Sequence, residues 1–211
     1  MRRITIIYLP NSFVPKNDDE IYKLIKNHGF ATLISGNDKE PYVSHTPILM
    51  DIKKKVLRGH LSKNNPHCKS LLENKKIIVI FHGPHHYVSP TYYKNQPSVP
   101  TWNYAVVHIS GTPRLITNRK EIIEFLSNLV DTHESDKTDQ WDFNLPKDYL
   151  KKMIDSIVFF EVAIEKVAAK YKLSQNRPKE DVPNIIDHLF RIGTENSIDI
   201  AQLMIDNVET N

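Results

Sequence analysis

"IIVIFHGPHHYVSPTYYKNQPSVPTWNYAVVHISGTPRLI", Ile77 to Ile116, is the stretch on which the reading of this chain turns. Both ends read as strand: Ile77 to Phe81 is a continuous apolar run, and Tyr104 to Ile109 is apolar and β-branched, broken only by His108. Between them stand Pro84, Pro90, Pro97 and Pro100. Each lacks a backbone donor, so the sequence predicts an irregular connection. A connection this long inside a compact domain is uncommon and is usually either functional or disordered. Tyr87, Tyr92, Tyr93 and Trp102 speak for order, because disordered segments are depleted in aromatics. The stretch is read as two strands joined by an ordered loop that builds a site.

Outward from that centre, the N-terminal half predicts an antiparallel meander. Ile4 to Leu9 reads as a first strand, since six mostly apolar residues before Pro10 fall short of the roughly 7–15-residue core of a signal peptide. Asn17-Asp18-Asp19-Glu20 has capping-box form and opens a helix that carries Ile21, Leu24 and Ile25 and closes at Gly29. Strands follow at Phe30 to Ser35, Tyr42 to Met50 and Val56 to Leu61, with turns at Gly36-Asn37-Asp38 and Lys53-Lys54-Lys55. Asn65-Pro66 is read as a helix start, with Asn65 as cap and Pro66 in the first helical position.

In the C-terminal half, Asn118-Arg119-Lys120-Glu121 repeats the capping box ahead of Ile122, Leu126, Leu129 and Val130. Asp131 to Asp139 is polar and is expected to be mobile. Pro146 starts a short helix, Ile157 to Val167 alternates as a strand, and residues 183–208 form two helices hinged near Gly193. The expectation is one domain over residues 1–211: mainly β (α+β), an antiparallel barrel with peripheral helices and the 183–208 tail packed on it.

Composition excludes several functions. Net charge is +3, from 28 basic and 25 acidic residues, too balanced to imply nucleic acid or an anionic membrane from charge alone. No apolar run approaches the ~20 residues that span a bilayer. Cys68 is the only cysteine, so there is no intrachain disulfide, and a reducing, cytoplasmic setting fits best. The six glycines include no G-x-G spacing, which excludes a Rossmann fingerprint and a P-loop. Among ten histidines, only His82 and His85 form a local pair, and Pro84 between them prevents a shared helical face. No metal site is expected. Cys68 on a helix side, with no G-x-S-x-G, gives little support to a hydrolase, so no catalytic residue is named. Between Asn184 and Val208 the one basic side chain, Arg191, faces Asp187, Glu195, Asp199 and Asp206, so a helix-turn-helix reading of the tail is disfavoured. What remains is "RGHLSKNNP", Arg58 to Pro66, whose Arg58, His60, Ser62 and Lys63 suit an anion.

"IYLPNSF", "FATLIS", "PYVSHTPILMD", "LRGHLSKNNP", "VIFHGPHHYVSPTYY", "VPTWNYAVVHISGTPRLI" and "KLSQNR" occur in that order. Together they resemble the PaiB-type FMN-binding negative transcriptional regulator family, from about Tyr8 to the end of the chain. The resemblance implies an FMN-binding split β-barrel and a homodimer with flavin at the interface. On that fold the strands would be Phe30–Ser35, Tyr42–Met50, Val56–Leu61, Ile77–Tyr87, Trp102–Arg114 and Ile157–Val167. It also implies a phosphate held by His45 and Thr46 on one strand and His60, Ser62 and Lys63 on the next. Trp102 and Asn103 match the loop motif, and Gln175, Asn176 and Arg177 match the tail motif, so these five would line the ring or a small-molecule pocket. The oxidase branch's R-x-x-x-x-K strand is lacking, with His45 and Met50 in its place. The implied function is a flavin-binding repressor with DNA or a regulatory protein as partner. The alternative is a split-barrel flavin oxidoreductase or haem-handling enzyme.

Overall fold

The structure is a computed structural model and describes residues 7–36, 40–73, 75–134 and 137–209. In chain order the elements are α1 (Asp18–Asn27), β1 (Phe30–Gly36), β2 (Pro41–Asp51), β3 (Val56–Ser62), α2 (Cys68–Leu72), β4 (Ile77–Val88), β5 (Thr101–Ile116), α3 (Arg119–Glu134), α4 (Lys147–Asp155), β6 (Ile157–Lys172), α5 (Asp181–Ile192) and α6 (Glu195–Glu209). The strands close into a barrel in the order β1-β2-β3-β6-β5-β4. The pairs with assigned register, including β1 with β4, are antiparallel. All six predicted strands of the barrel are present.

The chain divides into two compact units, one formed from residues 29–80 and 109–167, the other from 1–28, 81–108 and 168–211. In the first, strand periodicity sorts the side chains. Ala31 and Leu33 of β1, Thr46 and Ile48 of β2, Leu57 and Leu61 of β3, and Phe160 and Val162 of β6 are buried together with Val79. Each large apolar side chain among them contributes about 1.5–3 kcal/mol by leaving water. Gly111 on β5 is a close-approach glycine: a Cβ there would collide with the Ala163 carbonyl and the Val162 side chain. A separate small core forms where α3 and α4 supply Ile122, Phe125 and Ile154 against Ile116 and Phe159.

Beside it, the Glu161 carboxylate is 5 % exposed and bridges two arginines. Arg58 donates from Nε (2.9 Å) and Nη2 (2.8 Å) to Oε2, and Arg114 from Nε (2.9 Å) and Nη2 (2.8 Å) to Oε1. Arg58, expected to be free for an anion, is therefore committed to this pair.

In the second unit, Asn17 caps α1 as expected, accepting from the Glu20 N–H at 3.0 Å. The tail forms a helical hairpin whose Gly193 adopts φ +70° at the end of α5, the left-handed cap that favours glycine. Ile185, Leu189, Ile200, Ala201 and Met204 are buried there. Lys170 is buried too. Its ammonium donates to the Tyr8 carbonyl at 3.0 Å and lies 5.2–5.7 Å from the rings of Tyr8, Phe13 and Tyr104.

Four local expectations are corrected. Of the strand expected over Ile4 to Leu9, residues 4–6 lie outside the described residues and residues 7–9 are irregular. Pro84 does not interrupt β4, because it lies beyond the residues that pair with β1, Ile78–Ile80, so its missing donor removes no bond of that ladder. The polar stretch from Asp131 begins inside α3, which runs to Glu134, while residues 135 and 136, like Asn37 and Asp38 of the expected turn, lie outside the described residues. The helix expected at Asn65 starts at Cys68. Asn65 instead turns back on itself, its Oδ1 accepting from the His67 N–H at 3.0 Å, which places Pro66 in a turn before the helix.

Glu161→Ala should lower stability by about 3–5 kcal/mol, because it leaves the largely buried Arg58 guanidinium, 12 % exposed, unpaired. Arg114 is 62 % exposed, so Arg114→Ala should cost no more than about 1 kcal/mol. Urea denaturation of the two variants gives the comparison.

Candidate functional site

The expected phosphate residues lie in the first unit, and strand alternation divides them. His45 is exposed on β2; its Nδ1 lies 3.1 Å from the Thr32 hydroxyl, and its ring stacks on Phe30 at 6.3 Å. Thr46 points to the opposite face, is buried, and donates its hydroxyl to the His60 carbonyl at 2.8 Å. His60 and Ser62 share a face of β3. The His60 ring packs on Phe159 and Phe125, with centroids at 5.6 and 6.2 Å, and burial pulls its pKa below the usual histidine value. Its Nδ1 is buried and has no hydrogen-bond partner among the described residues. Ser62 and Lys63 are exposed, and the Lys63 N–H is anchored to the Ser156 carbonyl at 2.9 Å. A five-residue α2 provides little macrodipole, so the helix end itself offers little to an anion.

Behind this rim lies a polar chain that the sequence reading missed. His67 is 1 % exposed; its Nε2 lies 2.7 Å from the Ser35 hydroxyl and its Nδ1 2.9 Å from the Ser44 hydroxyl. Ser35 donates onward to Ser70 at 2.6 Å, and Asn65 Nδ2 donates to Ser44 at 3.1 Å. One tautomer satisfies every member: Nε2–H donates to Ser35, and Nδ1 accepts from Ser44. Tyr42 stacks on the ring at 5.6 Å. Nothing in the spacing of residues 35, 44, 67 and 70 announces this, since each is an ordinary strand or turn residue locally.

The loop and tail residues lie in the second unit. Trp102 is 53 % exposed, with His85 and Tyr87 rings 6.1 and 6.0 Å away. Asn103 is wholly buried, its Oδ1 accepting from the Ser174 hydroxyl at 3.0 Å and its Nδ2 donating to Met204 Sδ at 3.5 Å. Gln175 clasps its own strand end, accepting from the Leu173 N–H at 2.7 Å and donating to the Tyr171 carbonyl at 2.6 Å. Asn176 is exposed. Arg177 lies over the Tyr93 ring at 4.0 Å and donates to the Ser98 hydroxyl at 2.6 Å and to Asp181 at 2.9 Å. Its Nε is buried without an acceptor among the described residues.

Asp181 is the hub of this region and was not singled out from sequence, although Arg177 and Asp181 stand at i, i+4 spacing. The carboxylate is fully buried. Oδ1 accepts from the Lys94 N–H (2.8 Å), the Asn95 N–H (3.1 Å) and Asn95 Nδ2 (3.1 Å). Burial alone would raise its pKa, but the bonds from Asn95, Arg177 and Lys94 outweigh that and hold it below the usual aspartate value. Asp181 thereby fixes the connection between β4 and β5.

With this geometry in view, the chain matches, over residues 7–166, the family described as "Putative FMN-binding domain". The chain belongs to that family. It is 30% identical over 207 residues to the "Protease synthase and sporulation protein PAI 2" of Bacillus subtilis, an alignment covering 96% of this chain and 99% of that protein. Among solved structures, the flavocytochrome Anf3 of Azotobacter vinelandii superposes with a TM-score of 0.65 at 15% identity, covering 86% of this chain and 80% of that one. The FAD and heme binding protein of Mycobacterium smegmatis gives 0.61 at 16% identity, covering 80% and 78%. At such identities these two establish the fold alone: the split barrel of flavin-binding proteins.

Two outcomes follow. Burial lowers the His67 pKa from 6.5, so the unfolded chain takes up this proton before the folded one does. The stabilising contribution is complete above the unfolded pKa and is lost as the pH falls below about 6.5, by at most ~1.4 kcal/mol per pH unit for the one group. Denaturation midpoints at pH 7.5, 6.5 and 5.5 should fall, and should fall less steeply in His67→Gln. Separately, Asp181→Asn should loosen residues 94–98, detected as faster tryptic cleavage after Lys94 at an unchanged far-ultraviolet spectrum.

Proposed function

We propose that this protein binds FMN and acts as a negative transcriptional regulator of the PaiB type, working as a homodimer. Membership of the FMN-binding family across residues 7–166 carries the reading. The near full-length likeness to the Bacillus subtilis protease synthase and sporulation protein agrees with that membership, and the regulatory part rests on the resemblance of the sequence motifs to the PaiB-type family.

The first unit offers residues that fit the phosphate end of the cofactor. Lys63 supplies an exposed cation, Ser62 an exposed hydroxyl, and His60 a buried Nδ1 without a partner, on the same face of β3 as Ser62. Because burial lowers its pKa, His60 serves at neutral pH as an uncharged hydrogen-bonding group and not as a second cation. His45 stands ready on the neighbouring strand, while Thr46 holds the β2–β3 pair together. In the second unit, Trp102 presents an indole face suited to a planar heterocycle, whether flavin or another small molecule. There Asn103, Gln175 and Arg177 keep the chain around Trp102 in place, and Asn176 remains at the surface. When bound, flavin supplies a reversible electron acceptor, and the chain's own part is to hold it.

Two features bear on partners. Val99, Trp102 and Tyr87 are exposed at 74 %, 53 % and 41 %, an aromatic and apolar surface that a second copy would cover. Glu195, Asp199 and Asp206 on α6 repel phosphates, so regulation through a protein partner fits better than DNA contact by the tail. The fold neighbours include a flavocytochrome and a FAD and heme binding protein, which keeps a flavin or haem enzyme as the second reading.

An absorbance spectrum of the purified protein separates the two: flavin bands in the blue support the proposal, and a Soret band supports the second. In titrations of apo-protein followed by flavin fluorescence quenching, Lys63→Ala and Ser62→Ala should each weaken FMN binding about 3–10-fold, as expected for exposed partners of a phosphate. His28→Ala, in the other unit, should not. Parent-like affinity in both variants would move the phosphate elsewhere.

A further inference from the structure

A pocket of about 330 Å³ opens in the second unit, between α1 and α6, and none of the residues proposed for flavin lines it. Its volume is at the lower end of the range for small-molecule sites. The apolar lining comes from Leu24 of α1, Leu203 of α6, Leu173, Pro15 and Pro84, with Tyr171 among them. Leu24, Tyr171 and Leu173 are 3–6 % exposed, so this wall belongs to the packed interior. Tyr171 is fixed by its hydroxyl, which donates to the Glu20 carbonyl at 2.9 Å.

The charged lining is predominantly acidic. Glu195, Asp199 and Asp206 come from one side of α6, and Glu20 comes from α1; the basic groups facing them are Lys23, the titratable His28 and, at the far end, Lys16, whose ammonium donates to the Asn207 carbonyl. Helix periodicity explains the arrangement, since positions 195, 199, 202, 203 and 206 fall on one face of α6 and positions 20, 23, 24 and 27 on one face of α1. Part of this charge has a local role: Glu20 accepts the Lys16 N–H at 3.2 Å within the α1 cap, and Glu195 opens α6, where an acidic side chain favours the dipole. Asp199, a full turn further on, has no such role. Asp199 and Glu195 act electrostatically on His28, raising its pKa against the larger lowering effect of burial, so their field reaches the α1 side of the pocket.

The charge is also spread out. No three His, Cys, Asp or Glu side chains among the described residues converge closely enough to hold a metal ion. Separated carboxylates above an apolar wall match a ligand whose positive charge sits at the end of, or is repeated along, an aliphatic chain. We propose that the α1–α6 pocket is a binding site for an alkyl amine or diamine, with the methylene chain against Leu24, Leu173 and Leu203 and the ammonium groups toward Asp199 and Glu195. The proposal is independent of flavin binding, and its test is made without flavin.

Calorimetric titration of the full chain at fixed ionic strength, with 1,6-diaminohexane, hexylamine, hexanoate and magnesium chloride as probes, decides the matter. The diamine should bind most tightly, hexylamine more weakly, and hexanoate and magnesium not at all. Asp199→Asn and Glu195→Gln should each weaken diamine binding about 3–5-fold and together by tenfold or more, as expected for partly exposed charge pairs. Leu203→Trp, which fills the apolar wall, should abolish it. Glu124→Gln, an exposed acidic position on α3, should leave it unchanged, and circular dichroism melts confirm that each variant is folded. Magnesium binding as well as the diamine would mean general charge screening and overturn the proposal. So would parent-like diamine affinity in the Asp199→Asn, Glu195→Gln double variant, which alters two surface carboxylates without touching the core.

Discussion

The fold depends on a ladder that local sequence cannot specify: β3 against β6, from Val56 opposite Ala163 to Ser62 opposite Ile157. It joins segments about a hundred residues apart, so its loop-closure entropy is offset only when the rest of the barrel forms with it. Without this ladder the barrel would open between β3 and β6, leaving an unpaired edge on each. The ladder also sets which side chains meet. Because Arg58 stands opposite Glu161, a charge that looked available in the sequence is neutralised. Because His60 stands opposite Phe159, its imidazole packs on an aromatic wall and offers an anion an uncharged hydrogen-bonding group instead of a cation.

Buried polar groups in this protein are connected rather than isolated. The His67 chain, the Glu161 pair of arginines and the Asp181 hub each place a costly group in the interior and then satisfy it from several directions. Such networks tolerate few alternative arrangements, because a half-satisfied member is penalised heavily at low dielectric. They keep neighbouring segments in one geometry: the turn before α2 in one unit, the β4–β5 connection in the other. Among the described residues, His60 Nδ1 and Arg177 Nε are orphaned and stand out against that background. Both belong to stretches that carry the family resemblance.

The chemistry divides along the same lines. The barrel unit presents small polar groups and one exposed lysine, suited to a phosphate. The helical unit presents an exposed indole and, separately, a groove of carboxylates over an apolar wall. The proposed cofactor surface and the proposed amine pocket together would give the protein two inputs, an arrangement suited to regulation.

Periodicity and capping determined what the sequence could determine alone. Alternation at Phe30–Ser35 and Val158–Ile164 marks strands, and Asn17 and Asn118 mark helix starts, because each signal is complete within a few residues. The barrel itself was legible through motif order. Tertiary structure decided the rest. Asn65 looked like a helix cap, but a turn stabilised by the His67 N–H and by Ser44 displaced the helix to Cys68. The neighbours His45 and Thr46 looked like one site, but the pleat sends them to opposite faces. Glu20 and Asp199 share a pocket only because α1 and α6 are packed in one unit. For Asn65 and Glu20 the physical reason is shared: the deciding neighbours, Ser44 and α6, come from remote parts of the chain that local sequence does not specify.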